Sequence, residues 1–225
     1  MKEISVPRPQ SDSLAAQLLS LYKTFKNILP SESLEFELSS LDWICPFLIL
    51  PISVYISDTK SKFAVNDLST IKPYLEVIKF PKGVDSISSF EQQIQRHKNY
   101  IPISVLKKDA GIARGRLESL FQTMVYKNFG SISGAQNAIY YPISELVTNI
   151  FEHSKRNEGF VFGQFYPTKR YLDICVVDRG RGLRKAYQQE KGLQLSDEDA
   201  ITEVMKGNSI KPDQERGYGV CIGSA

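Results

Sequence analysis

Three segments carry residue types whose spacing suits chemistry. In Tyr141-Pro-Ile-Ser-Glu-Leu-Val-Thr-Asn-Ile-Phe-Glu-His-Ser154, the polar residues Glu145, Asn149 and His153 fall four apart. On a helix they would share one face. A carboxylate there can hold or activate a water. An amide oxygen one turn on suits magnesium, which prefers hard oxygen donors. The plainer alternative is an amphipathic helix with its polar face in solvent. The second segment is Asp178-Arg-Gly-Arg-Gly-Leu183. Gly180 and Gly182 let the backbone come close to a flat ligand and adopt positive φ. Asp178 can accept a hydrogen bond from an exocyclic amine. A tight strand-to-loop turn would read the same way. The third is Arg216-Gly-Tyr-Gly-Val-Cys-Ile222. Gly217 and Gly219 lead into an apolar segment, where backbone N–H groups can cradle a phosphate. A flexible turn is the alternative.

These segments need elements to hold them. Ile143, Leu146, Val147, Ile150 and Phe151 form an apolar stripe at helical spacing, and Pro142 suits an early helix position. Tyr171–Val177 is apolar and rich in β-formers, so it reads as a central strand ending at Asp178. Residues 195–204 read as a helix capped by Ser196. Upstream, residues 11–29 read as a helix with Leu14, Leu18, Tyr22, Phe25 and Leu29 at helical spacing. Leu34–Leu38 alternates apolar and acidic residues, as a strand does. Residues 46–57 suit a helix opened by Pro46, with Pro51 marking a kink or a later start. Residues 62–66 suit a second strand, and 68–78 a helix whose start Pro73 marks. Residues 83–112 are polar and read as a linker. Residues 110–129 read as a further helix.

The bulk numbers narrow the function classes. With 225 residues, 42% hydrophobic and 24% charged, the chain can bury a real core without disulfide staples. A net charge of +3, with basic residues clustered only as Lys107-Lys108, Lys155-Arg156 and Lys169-Arg170, argues against nucleic acid as main partner. Cys45, Cys175 and Cys221 lack metal-site spacing and read as reduced thiols. No signal pattern opens the chain, and the apolar run Trp43–Ile56, broken by prolines, is too short to span a bilayer. A soluble, cytoplasmic protein with no membrane association is expected.

The order of the motifs says more than any one of them: helix with ExxxN, strand with DxGxG, polar segment, GxG. In this the chain resembles the GHKL ATPase superfamily, which includes DNA gyrase, the ninety-kilodalton heat-shock chaperone, histidine kinases and mismatch-repair ATPases. The resemblance covers roughly 115–225. It implies ATP and Mg²⁺ as cofactors, Asn149 as the magnesium ligand and Glu145 as general base. His153 would line the phosphate side, Asp178 would bind the adenine amino group, and Gly180 and Gly182 would shape its pocket. Residues 184–215 would form a nucleotide-sensitive lid, and Gly217 and Gly219 would meet phosphate. The family fold continues past its second glycine box, so the sandwich is expected to lack its C-terminal part here. His97 does not sit in a phosphoacceptor helix, so autophosphorylation on histidine is not expected.

Residues 30–82 resemble, more faintly, a STAS-like domain, through the strand Leu34–Leu38, the Leu-Asp-Trp-Ile turn at 41–44 and the helix after it. Ile44-Cys45-Pro46-Phe47 stands where phosphorylatable members carry a hydroxyl, which implies a scaffold. The expected architecture is therefore α/β (α+β) in two layers: a STAS-like region at 1–82, a linker at 83–112, and a Bergerat-type ATP-binding domain at 113–225. The expected function is an ATPase or nucleotide-gated switch with a protein partner in a regulatory pathway, able to pair as a homodimer. The alternatives are a serine protein kinase of the anti-sigma type and a non-enzymatic scaffold with a degenerate pocket.

Overall fold

The computed structural model describes residues 1–29, 31–85, 99–108, 115, 119, 145–152, 154–208 and 210. These residues form a mixed α/β structure with two small sheets, one parallel and one antiparallel. The parallel sheet has strand order β1 (Lys2–Ser5), β2 (Leu34–Glu37), β3 (Lys62–Ala64). Its connections are helices α1 (Leu14–Phe25) and α2 (Pro46–Thr59). The alternation in Leu34-Glu-Phe-Glu37 acts as expected: Leu34 and Phe36 are fully buried and the two glutamates are half-buried. Helix α2 starts at Pro46, without the later start allowed for, and runs through Pro51. Leu48, Ile49, Leu50, Ile52, Val54 and Ile56 are all buried, so this helix is enclosed rather than amphipathic. Helix α3 (Lys72–Val77) has Pro73 in its first turn.

Helix α1 forms within the residues read as a helix. Ser13 caps it, accepting from the Ala16 N–H at 3.3 Å. The apolar residues that recur at helical spacing point outward: Leu14 is 60% exposed, Leu18 46%, Tyr22 64%, and Leu29 beyond the helix 71%. Only Phe25 is half-buried. The inward face combines Leu21 and Phe25, which pack on the core, with buried polar side chains. Gln17 Nε2 donates to Asp12 O at 2.9 Å, Ser20 Oγ donates to Pro7 O, and Thr24 Oγ1 donates to Ser20 O at 2.9 Å. These bonds let three polar side chains be buried without a large penalty.

The antiparallel sheet has strand order β4 (Tyr100–Lys107), β5 (Glu158–Tyr166), β6 (Tyr171–Asp178). Strand β4 falls in the stretch read as linker. Pro102 disguises it, and the register shifts between Ile101 and Ser104 to accommodate the interruption. Alternate side chains of the sheet enter separate clusters. Phe160, Phe162, Cys175 and Ile103 join Leu34, Phe36 and the apolar residues of α2 in one core that spans both sheets. Ile101, Leu106 and Val161 pack on the other face with Val147, Ile150 and Phe151. Those three residues belong to helix α4, described over residues 145–152. Helices α5 (Gly182–Lys191) and α6 (Asp197–Met205) follow β6 and pack together through Ala186, Tyr187 and Ala200. Ser196 caps α6 as expected, accepting from the Asp199 N–H at 3.0 Å. Helix α5 was not expected. The predicted helix over 110–129 lies outside the described residues, Gly115 and Ser119 apart. Among the described residues, no helix is long and apolar enough to cross a membrane.

Candidate functional site

Helix α4 reaches the antiparallel sheet through its apolar stripe: Val147 and Ile150 are 2% exposed and Phe151 is 7% exposed. Gly159 of β5 makes the approach possible. A Cβ there would lie 2.6 Å from Ile150 side-chain carbons, so a larger residue would push the helix off the sheet. Packing one face in fixes the other. Asn149 is half-buried and Glu145 is exposed at the described start of the helix.

The sheet then delivers the glycine motif to the far end of α4. Asp178 closes β6 opposite Gly159. Its Oδ1 accepts from the Gly180 N–H at 2.6 Å, which folds the loop back on the carboxylate. Gly180 lies on Ser154, just past α4, and a Cβ on Gly180 would come within 2.4 Å of the Ser154 Cβ. The Arg181 N–H donates to Ser154 O at 3.3 Å. Ser154 Oγ accepts from the Arg156 N–H at 3.0 Å, and Arg156 Nε donates to Arg179 O at 2.9 Å. Gly182 has φ +73°, a left-handed conformation at the start of α5, and open space where a Cβ would point.

The structure therefore brings Glu145 and Asn149 onto one helix, and sets Asp178, Gly180 and Gly182 on a loop bonded to the end of that helix. His153, Gly217 and Gly219 lie outside the described residues.

Sequence reasoning passed over the arginines between the glycines. Arg179 bonds Asp58 of α2 at 2.6 Å and Glu158 of β5 at 2.9 Å, and lies over the Phe160 ring at 5.2 Å. Arg181, only 10% exposed in its side chain, bonds Gln189 at 2.6 Å and Glu190 at 2.7 Å. Hydrogen bonding from Arg181 holds the Glu190 carboxyl below its ordinary range. The signal was in the sequence, since both arginines occupy the variable places of DxGxG, but the acidic partners of Arg179 are distant along the chain and that of Arg181 lies on α5, which was not expected.

The opposite end of β6 lines a separate cavity of about 280 Å³. Asp12 and Gln17 border it with Pro46, Phe47, Tyr171 and Asp173, and none of the expected site residues does. The Tyr166 and Tyr171 rings stack at 4.7 Å, and the Tyr171 hydroxyl donates to Asp173 Oδ2 at 3.0 Å. Burial raises the Asp173 carboxyl above its usual value, more than the tyrosine hydrogen bonds lower it. Cys45 and Cys175 are buried free thiols. Burial pushes them up to about 11 and about 12, so they are poor nucleophiles. Among the described residues, no three His, Cys, Asp or Glu side chains are grouped to hold a metal. Comparison with family models, with curated proteins and with solved structures found no match to this chain.

Proposed function

We propose that the chain from about Tyr141 onward binds ATP with Mg²⁺ in a GHKL-type pocket and acts as an ATPase or nucleotide-gated switch. One observation carries the reading. The helix bearing Glu145 and Asn149 packs on an antiparallel sheet whose last strand ends in Asp178, and the loop after it bonds to the end of that helix through Ser154. Two motifs separated in the sequence by strands β5 and β6 thus belong to one layer, with the glycine loop at the far end of α4 from Glu145.

The residues present fit such a ligand. The Asp178 carboxylate is exposed and has lone pairs beyond the one engaged by Gly180, enough to accept from an adenine amine. Gly182 leaves open space beside it. A single amide oxygen from Asn149 is adequate for Mg²⁺, which takes few protein ligands when phosphates and waters supply the rest. The bound nucleotide supplies a transferable phosphoryl group, and Mg²⁺ neutralises charge on it. Glu145 would orient the attacking water. Residues 184–215 would act as the lid, with the α5–α6 pair as its body.

The parallel sheet β1-β2-β3 with α1 and α2 is read, in the same proposal, as a STAS-like scaffold. What supports the scaffold role is burial: Ile44 and Cys45 at the start of α2 lie in the core, without a hydroxyl to phosphorylate. A partner protein in a regulatory pathway would read the nucleotide state.

The test is a thermal-shift titration of the whole chain with ATP, with and without Mg²⁺, on wild type and Asn149→Ala. A Mg²⁺-dependent rise in melting temperature that Asn149→Ala abolishes is the expected outcome. No shift in wild type would sink the reading and favour a scaffold with a degenerate pocket. Radiolabelled phosphate appearing on a co-purified partner, instead of free in solution, would favour the anti-sigma type of kinase.

A further inference from the structure

The cavity at the start of β6 presents more hydrogen-bond acceptors than donors. Its walls come from three parts of the chain: the entry and first turn of α1, the start of α2 and the first residues of β6. The Asp12 carboxylate is already satisfied, because Lys169 in the turn between β5 and β6 pairs with it. Gln17 is satisfied at one end only. Its Nε2 donates to Asp12 O at 2.9 Å, and since a carbonyl only accepts, that bond fixes which way the amide faces. The Gln17 Oε1 is then an acceptor with no bond among the described residues, on a cavity-lining side chain only 3% exposed. Asp173 is the second such group. It is half-buried, and the Tyr171 hydroxyl donates to its Oδ2 at 3.0 Å, but no lysine or arginine pairs with it among the described residues. A carboxylate accepts at about four positions, so it remains under-bonded. The rest of the lining includes Leu14, Pro46, Phe47 and Ile174. A cavity of roughly 150 Å³ accommodates benzene. About 280 Å³ therefore takes a ring with a short polar arm.

We propose that this cavity binds a small primary amine, its ammonium group donating to Asp173 and to Gln17 Oε1 and its apolar body lying against Pro46 and Phe47. The acceptors select the head group. Two acceptors on different elements need a group that donates in several directions, which three rotatable N–H bonds supply. A planar guanidinium is best matched by a carboxylate with both oxygens free, and here Tyr171 holds one. An anion would meet Asp173 with like charge. A neutral alcohol would leave the carboxylate without a counter-charge in a partly desolvated place. The cavity lies at the other end of β6 from Asp178, so amine binding stands or falls separately from nucleotide binding.

The experiment is calorimetric titration of the whole chain with benzylamine at neutral pH, carried to millimolar ligand because so small a molecule binds weakly. Benzyl alcohol and phenylacetate serve as the neutral and anionic counterparts, and Asp173→Asn and Leu14→Arg as variants. Wild type is expected to bind benzylamine, and to bind either counterpart at least about tenfold more weakly. Asp173→Asn keeps an oxygen for the Tyr171 hydroxyl and removes the charge. It is expected to weaken benzylamine binding by at least about tenfold, with an unchanged circular dichroism spectrum. Leu14 borders the cavity and is 60% exposed, so Leu14→Arg leaves the core intact while setting a competing cation at the site. The same loss is expected there, and this variant decides alone if Asp173→Asn does not fold. Absence of benzylamine binding to wild type overturns the proposal. So does benzyl alcohol binding as tightly, which would make this an apolar cavity without recognition of charge. Unchanged benzylamine affinity in Leu14→Arg, or in folded Asp173→Asn, overturns it as well, by placing the amine elsewhere.

Discussion

Asp173 shows how one half-buried side chain can set the response of the fold to pH. Its carboxyl titrates above the ordinary 3.8, first because burial penalises the charged form, with the Tyr171 hydroxyl partly offsetting this. A carboxyl with a raised folded value binds more protons native than unfolded between the two values. Its contribution to stability is therefore complete below 3.8 and is lost as pH rises through the folded value. Asp173→Asn removes the charge and keeps an oxygen to accept from Tyr171. Melting curves across the acidic range should show the variant losing less stability than wild type as pH rises through that window. A wild-type profile already flat there would mean the group is solvated. Arg179 is the converse case: a charge kept inward because Asp58, Glu158 and the Phe160 ring all face it.

At the scale of elements, the junction from β6 through the glycine loop to α5 holds the site together. Its two glycines serve different ends. Gly180 is glycine because Ser154 occupies the space a Cβ would need, while Gly182 is glycine because its φ is +73° in open surroundings. Gly180→Ala should cost about 1–3 kcal/mol, the usual range for overpacking. Gly182→Ala should cost about 1 kcal/mol, from the left-handed backbone alone. Urea unfolding measures both. Only Gly180→Ala should also abolish the nucleotide-dependent thermal shift, because it separates the loop from the end of α4. Equal effects of the two would mean that the loop moves freely relative to α4. The expected α4 face, the β6 strand and the Ser196 cap were legible because each rests on local pattern. Helix α5 was not. Its buried residues are only Ala186 and Tyr187, too few to stand out in a polar segment.

Over the whole molecule, the core crosses from one sheet to the other. Phe160, Phe162, Cys175 and Ile103 of the antiparallel sheet share a cluster with Leu34, Phe36, Leu48 and Ile52 of the first layer. Residues 1–82 expressed alone would lose those neighbours from the side of α2. That fragment should bind a hydrophobic dye and unfold without a sharp transition, while the whole chain unfolds in one step reported alike by Trp43 fluorescence and circular dichroism. A fragment as cooperative as the whole chain would show that the first layer is an independent unit.

The sequence by itself determined the elements whose burial pattern is local. Leu34-Glu-Phe-Glu37 could only be a half-buried strand, and Val147, Ile150 and Phe151 could only be one side of a helix. It also determined that Glu145 and Asn149 would share a face, and that Asp178 would stand at a strand end. Tertiary structure alone decided the rest. Lys2–Ser5 became a strand because β2 offered it a partner, and its own side chains are mostly exposed. Tyr100–Lys107 became one despite Pro102, because β5 paired with it around the irregularity. The same holds for α1, where periodicity marked the helix and its apolar stripe but carried no information on which way the stripe faces. Spacing says which side chains lie together, but which side is buried depends on how the chain packs around them, here on the preceding segment, where the Pro7 and Asp12 carbonyls accept from Ser20 and Gln17.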